Sequence, residues 1–503
     1  MSATRVFEIG IVVCCASLAA LVPSEAQAQA PRQVANRELI DRVERSVTAG
    51  DGTTFVVTEG TVRVPELRTG PVRGGTIDLA VVRIRRAGSQ GTSAHILLAG
   101  GPGDSGVTLA LTTAQRGGAA IFELFGGGPV EGDLIGIDQR GTGKSSPNLS
   151  TGARYDFPLD RAGSEALWRP IVERVHREVA ADVTKRGIHL AAYNTRESAA
   201  DVDDVRRALG YARVTLWGRS YGSHLALETL RQHAAHVERV VLVSPEGPDD
   251  TFKLPSRVDA VLQRLSERVA RDPAIGPRVP DLMGLVRQTI ARLAKAPVTI
   301  DVVHPLTRAD VRVQLGAFDL QWMTAQALGD PQTASTLPAA FLEMAGGDFR
   351  RAAQIAVVQR SRLGVESGMK QMMDLSSGAT KERLARIARE ADASVLGNAI
   401  NLPLMWLRDA WGAPDLGDAF RQPVTSSVPT LILVGDLDPR TPVENGREIV
   451  QHLSRGRLIV LENAGHQFNL FGAPPLRAVL ARFLRGEPLD TDRLVLPAVT
   501  FRE

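Results

Sequence analysis

The chain has 503 residues, 44% hydrophobic and 23% charged, the balance of an ordinary soluble globular protein. That length exceeds what one core usually supports, so one large domain with a big insertion, or two domains, is expected. A formal net charge of +3, with no run of Lys or Arg, argues against nucleic acid or a membrane surface as partner.

Residues 1–28 read as an export signal. Arg5 gives a short basic start, and IGIVVCCASLAALV (9–22) is an apolar stretch too short for a comfortable membrane span. SEAQAQA then supplies small residues at the spacing a signal peptidase needs. Cleavage after Ala28 would remove one Arg and two Glu and take the charge from +3 to +4; an uncleaved anchor is the alternative. Cys14 and Cys15 both lie in this stretch, so a mature chain would have no disulfide and no thiol chemistry. The expectation is an exported protein, periplasmic or secreted, with no stable membrane insertion after cleavage.

β-Branched apolar runs then recur between turn residues: TTFVVTEGTVRV, TIDLAVVRIRR, HILLAGGPG, DLIGIDQRG, RVTLWGRS, RVVLVSPEG, TLILVGDLD and RLIVLENAGH. The first two alternate polar and apolar residues, as a half-exposed antiparallel pair does. The later ones are short unbroken runs, the mark of strands covered on both faces of a parallel sheet. Helical segments such as 197–210 and 443–453 lie between them, which predicts an α/β fold with a mostly parallel sheet of about eight strands. Residues 251–425 break the alternation: they are mostly helical, enclose a hairpin (VTIDVVHPLTRADVRVQL), and hold Trp322, Trp406 and Trp411. The chain thus divides into core (29–250), helical lid (251–425) and core again (426–503), with an extra structural domain as the alternative to a lid.

Gly218-Arg219-Ser220-Tyr221-Gly222 fits G-x-S-x-G, a sharp strand-to-helix turn that raises a serine above a sheet. A serine hydroxyl is a weak nucleophile and needs a base, and the base an orienting acid. On such a sheet the acid and then the base follow the serine along the chain. Of nine histidines only His452 and His466 lie beyond the last strand-end carboxylates. His452 falls inside the predicted helix 443–453; His466 follows a strand and a glycine turn and is the better-placed base. For the acid, LILVGDLDPRTP offers Asp438, two residues into its loop, ahead of Asp436 at the strand end. Glu246, which ends the strand after Ser220, is an alternative acid but is preferred as a substrate-binding residue. The backbone N–H groups of Tyr221 and of Gly101, in the glycine turn after HILLA, are expected to hold a developing oxyanion. DQRGTGKSS (138–146) ends like a phosphate loop, but Asp138 stands where that loop needs glycine. A buried Asp138–Arg140 pair bracing the neighbouring loops is the expectation instead. No metal-ligand spacing occurs, and neither a metal nor a cofactor is expected.

With GGPG, DQRGTGKS, GRSYG, GDLDPRTP and NAGH in this order, residues 75–485 resemble the α/β-hydrolase superfamily, in its proline iminopeptidase and tripeptidyl aminopeptidase branch. The resemblance implies Ser220 as nucleophile, Asp438 as acid, His466 as base, and Gly101 and Tyr221 as the oxyanion hole. It also implies cleavage of short peptides from a free N-terminus whose ammonium is held by acidic residues; Glu246, Glu343 and Asp348 are the candidates. Two positions depart from the pattern: Ala99 where many iminopeptidases carry His, and Arg219 where a small residue is usual. The function expected is therefore an exported serine aminopeptidase, with a carboxylesterase using the same triad as first alternative and a non-catalytic binding protein as second.

Overall fold

The structure, a computed structural model, describes residues 38–68, 75–89, 91, 93–126 and 132–502. The signal-like stretch 1–28 and its two cysteines lie outside these residues. Fourteen strands occur among them. They are β1 (Ile40–Thr48), β2 (Thr54–Pro65), β3 (Thr76–Arg86), β4 (Ala94–Leu98), β5 (Asp133–Ile137), β6 (Ser150–Arg154) and β7 (Val214–Ser220) in the first half. β8 (Val237–Pro245), β9 (Val298–Val303), β10 (Asp310–Leu315), β11 (Gly364–Ser367), β12 (Thr430–Gly435), β13 (Gly456–Glu462) and β14 (Arg493–Val495) follow. Ten of them form one sheet in the order β1-β2-β3-β5-β4-β7-β8-β12-β13-β14. β1, β2 and β3 join antiparallel along one edge. Every pairing from β5 to β14 is parallel.

All eight apolar runs are strands of this sheet. The two extra strands are at its edges: β1 is exposed along most of its length, so no buried face imprints an alternating pattern, and β14 has only three residues. The inner strands β4, β5 and β12 are buried throughout. Their side chains alternate between two cores. Ile96, Leu216, Leu242 and Ile432 enter one, whereas Leu97, Trp217, Val241 and Leu431 enter the other. Each such buried aliphatic side chain contributes about 1.5–3 kcal/mol.

Between β8 and β12 the chain leaves the sheet and forms a cap. Its helix Pro255–Arg271 begins with proline in the first turn, where a missing N–H costs nothing, and buries Val258, Leu262, Leu265 and Val269 along one stripe. Together with helices such as Leu282–Lys295 and Arg350–Arg362 this stripe makes a core separate from the two on the sheet. The expected hairpin is present as β9–β10. A second ribbon, β6–β11, was not expected: STGAR and GVES are short and have no apolar alternation. Through it the earlier segment 150–185 joins the cap. Trp168 packs edge-on against Trp322, with ring centroids 5.7 Å apart, and Trp411 Nε1 donates to His176 Nδ1 at 2.9 Å. The cap is pinned to the sheet by Arg268, whose guanidinium pairs with Asp436 at 2.5 Å.

Candidate active site

Ser220 ends β7 and opens the helix Tyr221–His233 with φ 53° and ψ −125°, a conformation non-glycine residues rarely hold. Its two flanking glycines are required by close approach. A Cβ on Gly218 would meet Gly222 O at 2.4 Å, and one on Gly222 would meet Leu98 O at 2.0 Å. The turn is held from below by Ser223, whose hydroxyl donates to Ser220 O at 2.5 Å and accepts from Glu246 N–H at 2.7 Å.

Parallel register brings the ends of β7, β12 and β13 to one edge, and the loops after them bring three distant residues together. His466 Nε2 lies 3.0 Å from Ser220 Oγ, and His466 Nδ1 lies 2.9 Å from Asp438 Oδ2. A carboxylate only accepts, so Nδ1 donates and Nε2 is left to accept from the serine. Asp438 also accepts from the N–H groups of Arg440 and Thr441, both at 2.9 Å, and from Thr441 Oγ1 at 2.7 Å. Burial works to raise this carboxyl, but His466 and the two Thr441 donors outweigh it and hold it below its ordinary range. Asp436 is turned away into its pair with Arg268, and His452 is exposed just beyond the helix Val443–Val450.

The loop after β4 passes against the serine: a Cβ on Gly100 would stand 3.3 Å from Ser220 Cβ. Gly101 follows with φ +97°, and Tyr221 is the first residue of the helix. The expected Asp138–Arg140 pair does not form. Asp138 accepts from Ser105 Oγ, Val107 N–H and Lys144 N–H, whereas Arg140 turns the other way to Asp201, with both bonds 2.8 Å long. Both residues are buried and both brace loops, but through different partners. Arg219 follows the alternation of β7. With Trp217 it lies on the face opposite Leu216, lines a cavity there with Phe468 and Phe471, and donates to His466 O at 3.3 Å.

Two family profiles match the chain: the alpha/beta hydrolase fold over residues 131–288, which include Ser220, and TAP-like protein over 397–493, which include Asp438 and His466. The chain belongs to the α/β-hydrolase superfamily. It is 31% identical over 182 residues to a tripeptidyl aminopeptidase of Streptomyces lividans, covering 35% of this chain and 33% of that one. It is 29% identical over 182 residues to serine protease Hip1 of Mycobacterium tuberculosis, covering 35% and 34%. Against carboxylesterase B of the same organism it is 35% identical over 177 residues, covering 34% and 32%. The chain thus spans about a third of the length of the curated relatives it matches.

In this α/β hydrolase a cleft opens over Ser220, walled by the cap residues Tyr155, Glu366, Lys370 and Asp374 and by Glu246. Glu246 pairs with Lys253 at 2.5 Å, and Asp374 lies 3.8 Å from Lys370. Burial, aided by Glu246 and opposed by Lys370, pushes the Asp374 carboxyl up to about 7. Glu343 and Asp348 pair instead with Arg351 and Arg350, and neither lines this cleft. Asp374 had no signal of its own in the sequence: GMKQMMDLSS reads as a core helix, and nothing in it announces the cleft.

Proposed function

We propose that the protein is a serine hydrolase that removes residues from the free N-terminus of small peptides. Ser220 Oγ attacks the scissile carbonyl while its proton passes to His466 Nε2. That proton goes on to the leaving amine, the C–N bond breaks, and an ester to Ser220 remains. Water, deprotonated by His466, then releases the acid. Asp438 fixes the imidazole tautomer and stabilises its charged form. The N–H groups of Gly101 and Tyr221 would face the oxyanion; Tyr221 is suited to this as one of the first N–H groups of a helix, at its positive end. The observation that carries the reading is the unbroken line from Ser220 through His466 to Asp438, with bonds of 3.0 and 2.9 Å.

The preference for an amine-bearing substrate rests on the buried carboxylates Glu246 and Asp374 in the same cleft. Glu246 adds to the cost of ionising Asp374, and a substrate ammonium beside them would relieve it. Carboxylester hydrolysis is the second reading, favoured by Lys253 and Lys370, which already neutralise those two carboxylates. A fluorophosphonate should label the wild type and not Ser220→Ala. Amide reporters with free and acetylated N-termini then separate the two readings: the peptidase loses turnover on acetylation. Equal rates for both, with fast p-nitrophenyl ester cleavage, would assign the esterase. We also propose that residues 1–28 direct export; exported protein should then begin at Gln29, read by N-terminal sequencing.

A further inference from the structure

A second cleft opens beside His466. It is walled by Leu320, Met323, Leu337, Phe341, Met344 and Ile355 of the cap, and it reaches His466 and Gln467 but not Ser220. Trp322, Gln326, Leu363 and Arg440 line both this apolar cleft and the acid-lined one over Ser220, so these four form the partition between them. Two charged side chains besides His466 face the apolar cleft. Asp330 is engaged locally, accepting from the N–H groups of Gln332 and Thr333 and from Thr333 Oγ1. Arg440 is the other. Its guanidinium donates to Gln326 Oε1 at 3.1 Å, and among the described residues no carboxylate pairs with it. Its backbone N–H is bound to Asp438, so the triad's own acid fixes where this arginine stands.

Chemistry decides which half of a substrate enters which cleft. The leaving nitrogen takes its proton from His466 Nε2 and so departs on the His466 side, while the acyl group stays bonded to Ser220. We propose that the apolar cleft receives the leaving residue of the substrate, and that Arg440, in the partition between the two clefts, holds that residue's free α-carboxylate. This inference rests on the serine-peptidase reading above. A leaving amino acid carries its carboxylate one carbon from the departing nitrogen and its side chain on the same carbon. An apolar side chain would thus turn into the cleft while the carboxylate meets the guanidinium fork, whose planar donors match it in pairs. The substrate class named by this geometry is a very short peptide that ends one residue after the scissile bond, with an apolar last residue.

The experiment compares prolyl-leucine with its C-terminal amide, using wild type, Arg440→Gln and Arg440→Lys, each also treated with a fluorophosphonate. Wild type should prefer the free acid by about ten- to hundredfold in kcat/KM, the worth of a hydrogen-bonded charge contact. Arg440→Gln should bring that ratio close to one, and Arg440→Lys should keep part of it. A wild type that labels at Ser220 but treats acid and amide alike, or cleaves neither, overturns the inference and leaves the hydrolase reading standing. The same holds if Arg440→Gln keeps the preference. Loss of labelling in Arg440→Gln would assign the arginine to supporting Asp438 and likewise overturn the inference. No labelling of wild type would overturn the hydrolase reading itself.

Discussion

Arg140 follows β5 and Arg219 is the last residue but one of β7, two places apart in the sheet, each in a glycine-rich stretch beside the site, yet the fold treats them in opposite ways. Arg140 is fully buried and saturated. It makes paired bonds to Asp201 and further bonds to the carbonyls of Glu66 and Ala192 at 2.6 and 2.5 Å. Arg68 adds a second cation on Asp201, at 2.7 Å, and also pairs with Glu197 at 2.7 Å and Asp204 at 2.5 Å. Arg219 is partly buried and donates to His466 O at the longer distance of 3.3 Å. Burial depresses its pKa, and Asp438 and Asp104 only partly oppose this. The first arrangement braces loops. The second leaves a cation under-bonded next to the base, where it serves the position of one carbonyl rather than the stability of the whole.

If that division is right, changes on the two sides should be read out by different instruments. The largest effect is expected on the His466 side. Asp438→Asn removes the charge that stabilises the imidazolium and should reduce kcat by about 10⁴-fold, as loss of the acid does in other serine triads. Stopped assays on a folded variant, checked by circular dichroism, would measure it, and a near-normal rate would refute the role given to Asp438. Next is Arg140→Met, which leaves Asp201 buried beside Arg68 alone. Breaking a buried pair costs about 3–5 kcal/mol, read from the urea midpoint. pH sharpens the same point. Burial alone would raise the Asp201 carboxyl, but Arg140 and Arg68 outweigh it and hold its pKa below the ordinary 3.8. Its contribution is therefore whole above about 3.8 and is lost as pH falls through the depressed value. That acid limb should be shallower in Arg140→Met.

The comparison also marks how far the sequence could be read. Strand ends in a parallel sheet share one edge, so the meeting of Ser220, Asp438 and His466 was legible from five short motifs and their order. The partner of Arg140 was not. Residues two apart in a loop need not face one another, and Asp201 lies on the helix Thr195–Ala208, which nothing local in DQRGTGKS announces. Arg219 could be flagged as unusual but not explained, since its role depends on which face of β7 it takes and on what lies behind that face. Asp374 and the β6–β11 ribbon were illegible for a related reason. They matter through cap-to-core contacts between segments whose own patterns are those of an ordinary helix and an ordinary loop.

Arg219→Met tests the other half of the division. Methionine fills much of the same space but cannot bond the His466 carbonyl, which would then be held by Ser244 Oγ alone, at 3.1 Å. A slightly displaced imidazole should lower kcat by about three- to tenfold with KM little changed. Removing an under-bonded cation should leave stability equal or higher. A variant with normal kcat and a reduced urea midpoint would make Arg219 a brace like Arg140 and dissolve the contrast.

The smallest effect concerns Asp374, a cleft carboxyl whose pKa burial pushes up to about 7. Glu246 adds to that shift, and Lys370 and Lys253 oppose it. Below pH 7 Asp374 is mostly neutral and offers an ammonium little; above it the carboxylate forms and attracts one. A general base that serves every substrate alike also makes the rate depend on pH, so a rising rate alone is ambiguous. The ratio of kcat/KM for a free-amine substrate to that for its N-acetyl form cancels the shared base. This ratio should climb several-fold between about pH 6 and 8 in wild type and run flat in Asp374→Asn. A flat ratio in the wild type as well would take the amine away from Asp374 and leave it to Glu246, whose pairing with Lys253 would then have to open for substrate to bind.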